Sequence, residues 1–128
     1  MRLLVVDDER ETREFFVKAL PAPEFEVVAV SSGQEAVEAA KRHRFYLAFV
    51  DMIMPQMDGL ETLKVLLAVQ PELPVIMMTH YAVEDNILLA LHFGAVDFLY
   101  KPFEDASEIT NAIKQFQRRQ QLKPLTSV

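Results

Sequence analysis

Short apolar runs at residues 3–6, 25–30, 46–50, 74–78 and 96–100 recur along the chain, each followed by a stretch of helical periodicity. This rhythm leaves few folds open. Runs of four to six residues are too short for helices, and they are rich in the β-branched and aromatic residues that suit strands. Their apolarity is nearly continuous rather than alternating. That predicts strands covered on both faces, as in a parallel sheet.

Between the runs, apolar residues repeat at spacings of three and four. The stripes are Phe15, Phe16, Ala19 and Leu20; Ala36, Ala39 and Ala40; Leu60, Leu63 and Leu67; Val83, Ile87, Ala90 and Leu91; and Ile109, Ala112, Ile113 and Phe116. Helix starts are marked by Ser32 with Glu35, Asp58 with Glu61 and Asp105 with Glu108, each spaced as a capping box. Gly94 falls where the fourth helix needs a left-handed residue to stop. Strict alternation of strand and helix implies an α/β fold. Right-handed crossovers place helices on both faces of a five-stranded, doubly wound parallel sheet, the flavodoxin-like arrangement with strand order 2-1-3-4-5. From Arg118 the apolar stripe fades, and Pro124 follows. Residues 1–120 therefore read as one domain, and residues 121–128 as a tail or the start of a linker.

Composition narrows the function classes. At 128 residues the chain can bury a core without staples, and its lack of cysteine excludes disulfides, thiolate metal sites and cysteine nucleophiles. A formal net charge of −6 argues against direct nucleic-acid contact from this segment. No apolar run approaches the roughly 20 residues needed to span a bilayer. Met1-Arg2 leads at once into a strand, which leaves no signal peptide, so a cytoplasmic location is expected. With three glycines and no phosphate-cradling loop, a nucleotide enzyme is a poor fit.

In open parallel sheets, ligands bind at the carboxyl ends of the strands. The first strand ends in Asp7 and Asp8, the third in Asp51, the fourth in Thr79, and the fifth in Lys101 followed by Pro102. Taken singly, these are bland. Asp8 reads equally as a helix cap, Thr79 as a turn residue, Lys101 as a solvated charge and Pro102 as a bend. Taken together, they bring three carboxylates, a hydroxyl and an ammonium to one edge. Two carboxylates 4 Å apart at an effective dielectric of about 20 repel by roughly 4 kcal/mol. Such a cluster must protonate, recruit Lys101 or bind a cation. Oxygen-only ligands favour a hard divalent ion, Mg²⁺ above all where the substrate carries phosphate, with Mn²⁺ as a substitute.

The segments Leu4-Val5-Val6-Asp7-Asp8-Glu9, Val50-Asp51-Met52-Ile53-Met54-Pro55-Gln56-Met57-Asp58-Gly59, Met78-Thr79 and Gly94-Ala95-Val96-Asp97-Phe98-Leu99-Tyr100-Lys101-Pro102-Phe103 resemble receiver domains of two-component response regulators. The resemblance runs from the first strand into the fifth helix. It implies that Asp51 accepts a phosphoryl group from a sensor histidine kinase, a phosphotransfer protein or a small phosphodonor. It further implies that Asp7, Asp8, Asp51 and the backbone carbonyl of Ile53 serve Mg²⁺, and that Thr79 and Lys101 meet phosphoryl oxygens. Lys101-Pro102 would be cis, and Phe98 would be a two-position switch aromatic. The fourth helix, fifth strand and fifth helix would form a signalling face able to pair two copies. The module would be a switch rather than an enzyme, its only chemistry being its own phosphorylation and dephosphorylation.

Two departures stand out. His80 follows the switch threonine, where the family places a small residue, and Tyr81 occupies the next, often polar, position. With apolar Ile53 they put bulk at the rim of the phosphoryl site, which predicts a long-lived phosphoryl group. Two other readings compete. A hydrolase or phosphotransferase that forms an aspartyl phosphate would want an acid–base carboxylate two residues past the nucleophile, where this chain has Ile53, and a cap segment for which there is no room. A pseudo-receiver that is never phosphorylated would have no need of the full acidic set with Thr79 and Lys101.

Overall fold

A computed structural model describes residues 1–80 and 84–122. Its elements are β1 (Arg2–Val6), α1 (Arg10–Ala19), β2 (Glu26–Val30), α2 (Gly33–Arg42), β3 (Leu47–Asp51), α3 (Gly59–Val69), β4 (Val75–Thr79), α4 (Glu84–His92), β5 (Asp97–Tyr100) and α5 (Ser107–Gln121). The strands form one sheet in the order β2-β1-β3-β4-β5, every pairing parallel. The order reverses between β1 and β3, and this switch point opens a crevice at the strands' carboxyl ends.

Side chains alternate along each strand, so the sheet feeds two cores. Leu4 and Val6 of β1, Ala48 and Val50 of β3, and Val75 and Met77 of β4 face one layer, where Ala36 and Ala40 of α2, Leu63 and Leu66 of α3, and Ala90 of α4 cover them. Leu3, Val5, Leu47, Phe49, Ile76 and Met78 face the other, under Phe16 of α1 and Ile109, Ile113 and Phe116 of α5. Phe16 packs against Phe49 with ring centroids 4.9 Å apart. Each such large side chain, fully buried, contributes about 1.5–3 kcal/mol.

Coverage of both faces holds for β3 and β4, which are buried throughout, and for β1 beyond Arg2. The edge strands differ. Most of β2 and β5 is only half-buried, because an edge strand has a neighbour on one side alone. The fourth helix also departs from expectation. Ala90 is buried and Ile87 half-buried, but Leu91, expected in the stripe, is 44% exposed. Successive helical residues lie about 100° apart, so seating small Ala90 on the sheet turns Leu91 outward. Val83, expected in the same stripe, lies outside the described residues. In α3 the buried stripe is Thr62, Leu63 and Leu66, with Leu60 and Leu67 half-buried on its flanks.

The expected caps form at Ser32 and Asp58, whereas α5 has Ala106 rather than Asp105 at its N-cap, without a side-chain cap bond. Ser32 Oγ accepts from the Glu35 amide at 3.1 Å, while Glu35 reaches past Ser32 to the Ser31 amide at 3.0 Å. Asp58 Oδ1 accepts from the Glu61 amide at 2.8 Å. Asp105 Oδ1 accepts from Ser107, and Glu108 returns a carboxylate oxygen to the Asp105 amide at 3.1 Å. Gly94 closes α4 with φ +113°, and the Ala95 amide behind it donates to Ala90 O. The entry to α3 is tighter still. A Cβ on Gly59 would lie 2.1 Å from the backbone oxygen of Asp51, so only a residue without a side chain lets the helix start there.

Candidate functional site

The sheet register decides which strand ends meet. Val6 pairs with Val50, Asp51 with Met78, and Thr79 with Tyr100, so Asp7, Asp51, Thr79 and Lys101 emerge on one edge at nearly one level. All four are buried, while Asp8 is exposed. One carboxylate oxygen from each of Asp7, Asp8 and Asp51 lies within 4.8 Å of the others. Asp8 is not a helix cap. The N-cap of α1 is Glu9, without a side-chain cap bond, so the Asp8 carboxylate stays with the cluster.

Lys101 is the counter-ion, its side chain 2% exposed. Its Nζ donates to Asp7 Oδ2 at 2.7 Å and to Glu9 Oε1 at 2.5 Å, and stands 3.7 Å from Asp51 Oδ2. Burial alone would lower the Lys101 pKa, but the bonds to Asp7 and Glu9 outweigh it and hold the ammonium charged above its ordinary value. Asp7 also accepts from the Glu9 amide at 2.9 Å. Asp51 is less well served. Burial first, then the charges of Asp7 and Asp8, push its pKa up to about 7, against the pull of Lys101 and a hydrogen bond from the Ile53 backbone. Against the carboxylates of Asp7, Asp8 and Asp51, the single Lys101 ammonium leaves the site short of positive charge.

The remaining expected residues fall around this centre. Ile53 lies just outside it with its side chain 61% exposed. His80 stands at the rim, its Nε2 3.1 Å from Glu9 Oε1. Phe98, paired with Met77 across the strands, is half-buried against the core layer that contains Leu63 and Leu66. The Lys101–Pro102 peptide bond is cis. Tyr81 lies outside the described residues. Sequence reasoning assigned no role to Glu9, whose carboxylate is held below its ordinary pKa by hydrogen bonds from Lys101 and His80. Its position directly after Asp7 and Asp8 was the only available signal. Nothing in a linear sequence shows that Lys101, 92 residues away, reaches it.

A sequence model of the response regulator receiver domain matches residues 3–114. The chain belongs to this family. As a receiver domain it shares 39% identity over 103 residues with the response regulator protein FleR of Pseudomonas aeruginosa, covering 80% of this chain and 22% of that protein. It shares 33% identity with the transcriptional regulatory protein SrrA of Staphylococcus aureus, covering 93% of this chain and 48% of SrrA. This receiver domain thus spans less than half of the curated relatives it matches. Among solved structures, a CheY-like receiver domain from Methanospirillum hungatei superposes with a TM-score of 0.86 at 27% identity, covering 96% of this chain and 98% of that one. CheY of Borrelia burgdorferi, solved in a CheX-CheY-BeF3-Mg complex, gives 0.83 at 25% identity, covering 91% and 88%. Receiver domains of response regulators are signalling switches. Among the described residues no helix is long and apolar enough to cross a membrane.

Proposed function

We propose that this receiver domain is a cytoplasmic phosphorylation switch in which Asp51 takes a phosphoryl group from a sensor histidine kinase, a phosphotransfer protein or a small phosphodonor. The observation that carries this reading is the buried Asp51 carboxylate set between Asp7, Asp8 and the Lys101 ammonium. A carboxylate oxygen of Asp51 attacks phosphorus, the bond from phosphorus to the donor's imidazole or leaving group breaks, and an acyl phosphate forms. Catalysis here consists of positioning and of cations around the transferring oxygens.

Asp7, Asp8 and Asp51, with the Ile53 carbonyl, suit Mg²⁺ or Mn²⁺, since the donor set is oxygen alone and Lys101 leaves it short of positive charge. When bound, the ion would neutralise charge between the carboxylates and the phosphoryl oxygens. Lys101 Nζ, already 3.7 Å from Asp51, meets one phosphoryl oxygen, and the Thr79 hydroxyl meets another. Movement of Thr79 toward the phosphoryl group makes room for the Phe98 ring. Asp8→Asn removes the ligand that no helix cap requires. The expected result is loss of Mg²⁺-dependent phosphorylation on Asp51 by intact-protein mass spectrometry, with the fold retained. Normal phosphorylation of Asp8→Asn would show that the metal is held elsewhere.

The output surface in this reading is α4, β5 and α5, and its occupant is a second copy of the chain. Leu88, Leu89 and Leu91 of α4 and Tyr100 of β5 are exposed at 56, 43, 44 and 54%, and Arg119 of α5 pairs with Asp97 of β5 at 2.9 Å. Sedimentation with Mg²⁺ and fluoroberyllate should show more dimer than the untreated chain, and Leu89→Lys should abolish the difference. A monomer in both states would remove the self-association claim. No contact with nucleic acid is assigned to this segment, and control of transcription or of another output would belong to residues beyond it or to a partner.

A further inference from the structure

One carboxylate oxygen, Glu9 Oε1, is shared by two cationic or hydrogen-bonding groups from other parts of the sheet edge. Lys101 Nζ reaches it from beyond β5 at 2.5 Å, and His80 Nε2 from beyond β4 at 3.1 Å. The Lys101 side chain is buried, whereas Glu9 and His80 are 46 and 41% exposed, so the bridge lies across the outer side of the ammonium. An ammonium has three N–H donors. Two of them serve Asp7 and Glu9, and Asp51 at 3.7 Å is beyond hydrogen-bond length.

We infer that Glu9 is a positioning residue that gates entry of the phosphoryl donor: its carboxylate, clasped by His80, competes with an incoming phosphoryl oxygen for the Lys101 ammonium. The inference rests on Asp51 being the phosphoryl acceptor. A donor phosphoryl group approaching Asp51 meets the negative charge of Glu9 and competes with it for the ammonium, which has one N–H left beyond those serving Asp7 and Glu9. Displacement costs a charge-assisted hydrogen bond, partly repaid because the half-exposed carboxylate regains water. His80 makes the displacement harder by tethering Glu9 from the other side. The device therefore penalises small free phosphodonors, which bring little binding energy of their own. A docked protein donor can spend contacts made elsewhere on opening the clasp.

The test is a double-mutant cycle on the whole chain with phosphoramidate as donor, following phosphate incorporation on Asp51 and its subsequent loss. Glu9→Gln keeps the size of the side chain and removes its charge; His80→Ala removes the clasp. Each should raise the second-order rate of phosphorylation by about three- to tenfold, the range expected for losing one partly exposed charged hydrogen bond. The double variant should be no faster than the faster single one, because both changes open the same bridge. Phosphate loss should stay within about twofold of native, since a phosphoryl oxygen has already displaced Glu9 in the phosphorylated state. A purely structural role would instead lower stability and disturb both rates. Native-like or slower phosphorylation of Glu9→Gln, or additive gains in the double variant, would overturn the gate while leaving Asp51 as acceptor. A native chain that takes no phosphate on Asp51 would bring down both readings together.

Discussion

Asp51→Asn is expected to do two things at once: abolish phosphate incorporation and make the domain more stable at pH 8. The second effect follows from the direction of the Asp51 shift. The folded domain raises this pKa from 3.8 to about 7, so between those values the folded state binds a proton that the unfolded chain has already released. Stability therefore falls as pH rises through this window, and above it the ionised carboxylate is a net cost of the fold. Raising the Asp51 pKa from 3.8 to about 7 corresponds to about 4 kcal/mol, an upper bound because water and the neighbouring Lys101 relax around the ionised form. Asparagine carries no charge to lose. Urea unfolding should show the variant about 2–4 kcal/mol more stable than the native chain at pH 8, with the gain shrinking toward pH 4. A pH-independent difference would mean that Asp51 is not the strained carboxylate. Mg²⁺ should stabilise the native chain at pH 8 and do much less for the variant.

Lys101→Met should move stability the opposite way. Methionine fills much of the lysine's volume, so the change isolates the charge. Asp7, buried and bonded to Lys101 at 2.7 Å, is left without its cation, as are Glu9 and Asp51. Breaking a buried pair by removing one partner costs about 3–5 kcal/mol. The raised Lys101 pKa means that the native contribution is fully present below the ordinary lysine value and is lost only as pH climbs through the folded one. The deficit should accordingly be large at pH 8 and diminish on acidification, as the orphaned carboxylates take up protons. Thermal unfolding at pH 5 and pH 8, each with and without Mg²⁺, reads both trends. Equal stability of native and variant chains at pH 8 would show that Lys101 is not the counter-ion of this cluster. Together the two variants bracket the site, one removing its surplus negative charge and the other its only buried positive charge among the described residues.

Much of this was legible before any coordinates. The parallel sheet followed from apolar runs such as those ending at Val6 and Val50, because strands buried on both faces have no polar alternation. The site followed from asking what each strand delivers at its carboxyl end, which needs only the order of residues. What escaped was whatever depends on reach or rotation. Leu91 sits at helical spacing from Ile87, yet the helix seats on Ala90 and turns Leu91 to solvent. Glu9 looked like one more acid on the way into α1. Its importance comes from the length of the Lys101 side chain and the placement of His80, neither of which leaves a mark at position 9 itself. Asp8 was ambiguous between cap and ligand, and only the absence of a side-chain cap bond at the start of α1 separates the two.

The close seating of Gly59 on Asp51 gives the switch a fixed half and a movable half. With the start of α3 abutting the Asp51 carbonyl, and the Gly59 amide bonded to Met52 O at 2.9 Å, the backbone that bears the Asp51 carboxylate is braced like an anvil against an entire helix. Close-packed contacts of this kind are stiff and do not yield by fractions of an ångström without cost. In the proposed switch, force from charge added at Asp51 would then be taken up on the side of the Lys101 ammonium, a polar side chain 3.7 Å away. The glycine thereby acts as a mechanical rectifier. It adds nothing to the chemistry, yet in the proposed switch it would direct the recoil of that chemistry away from α3.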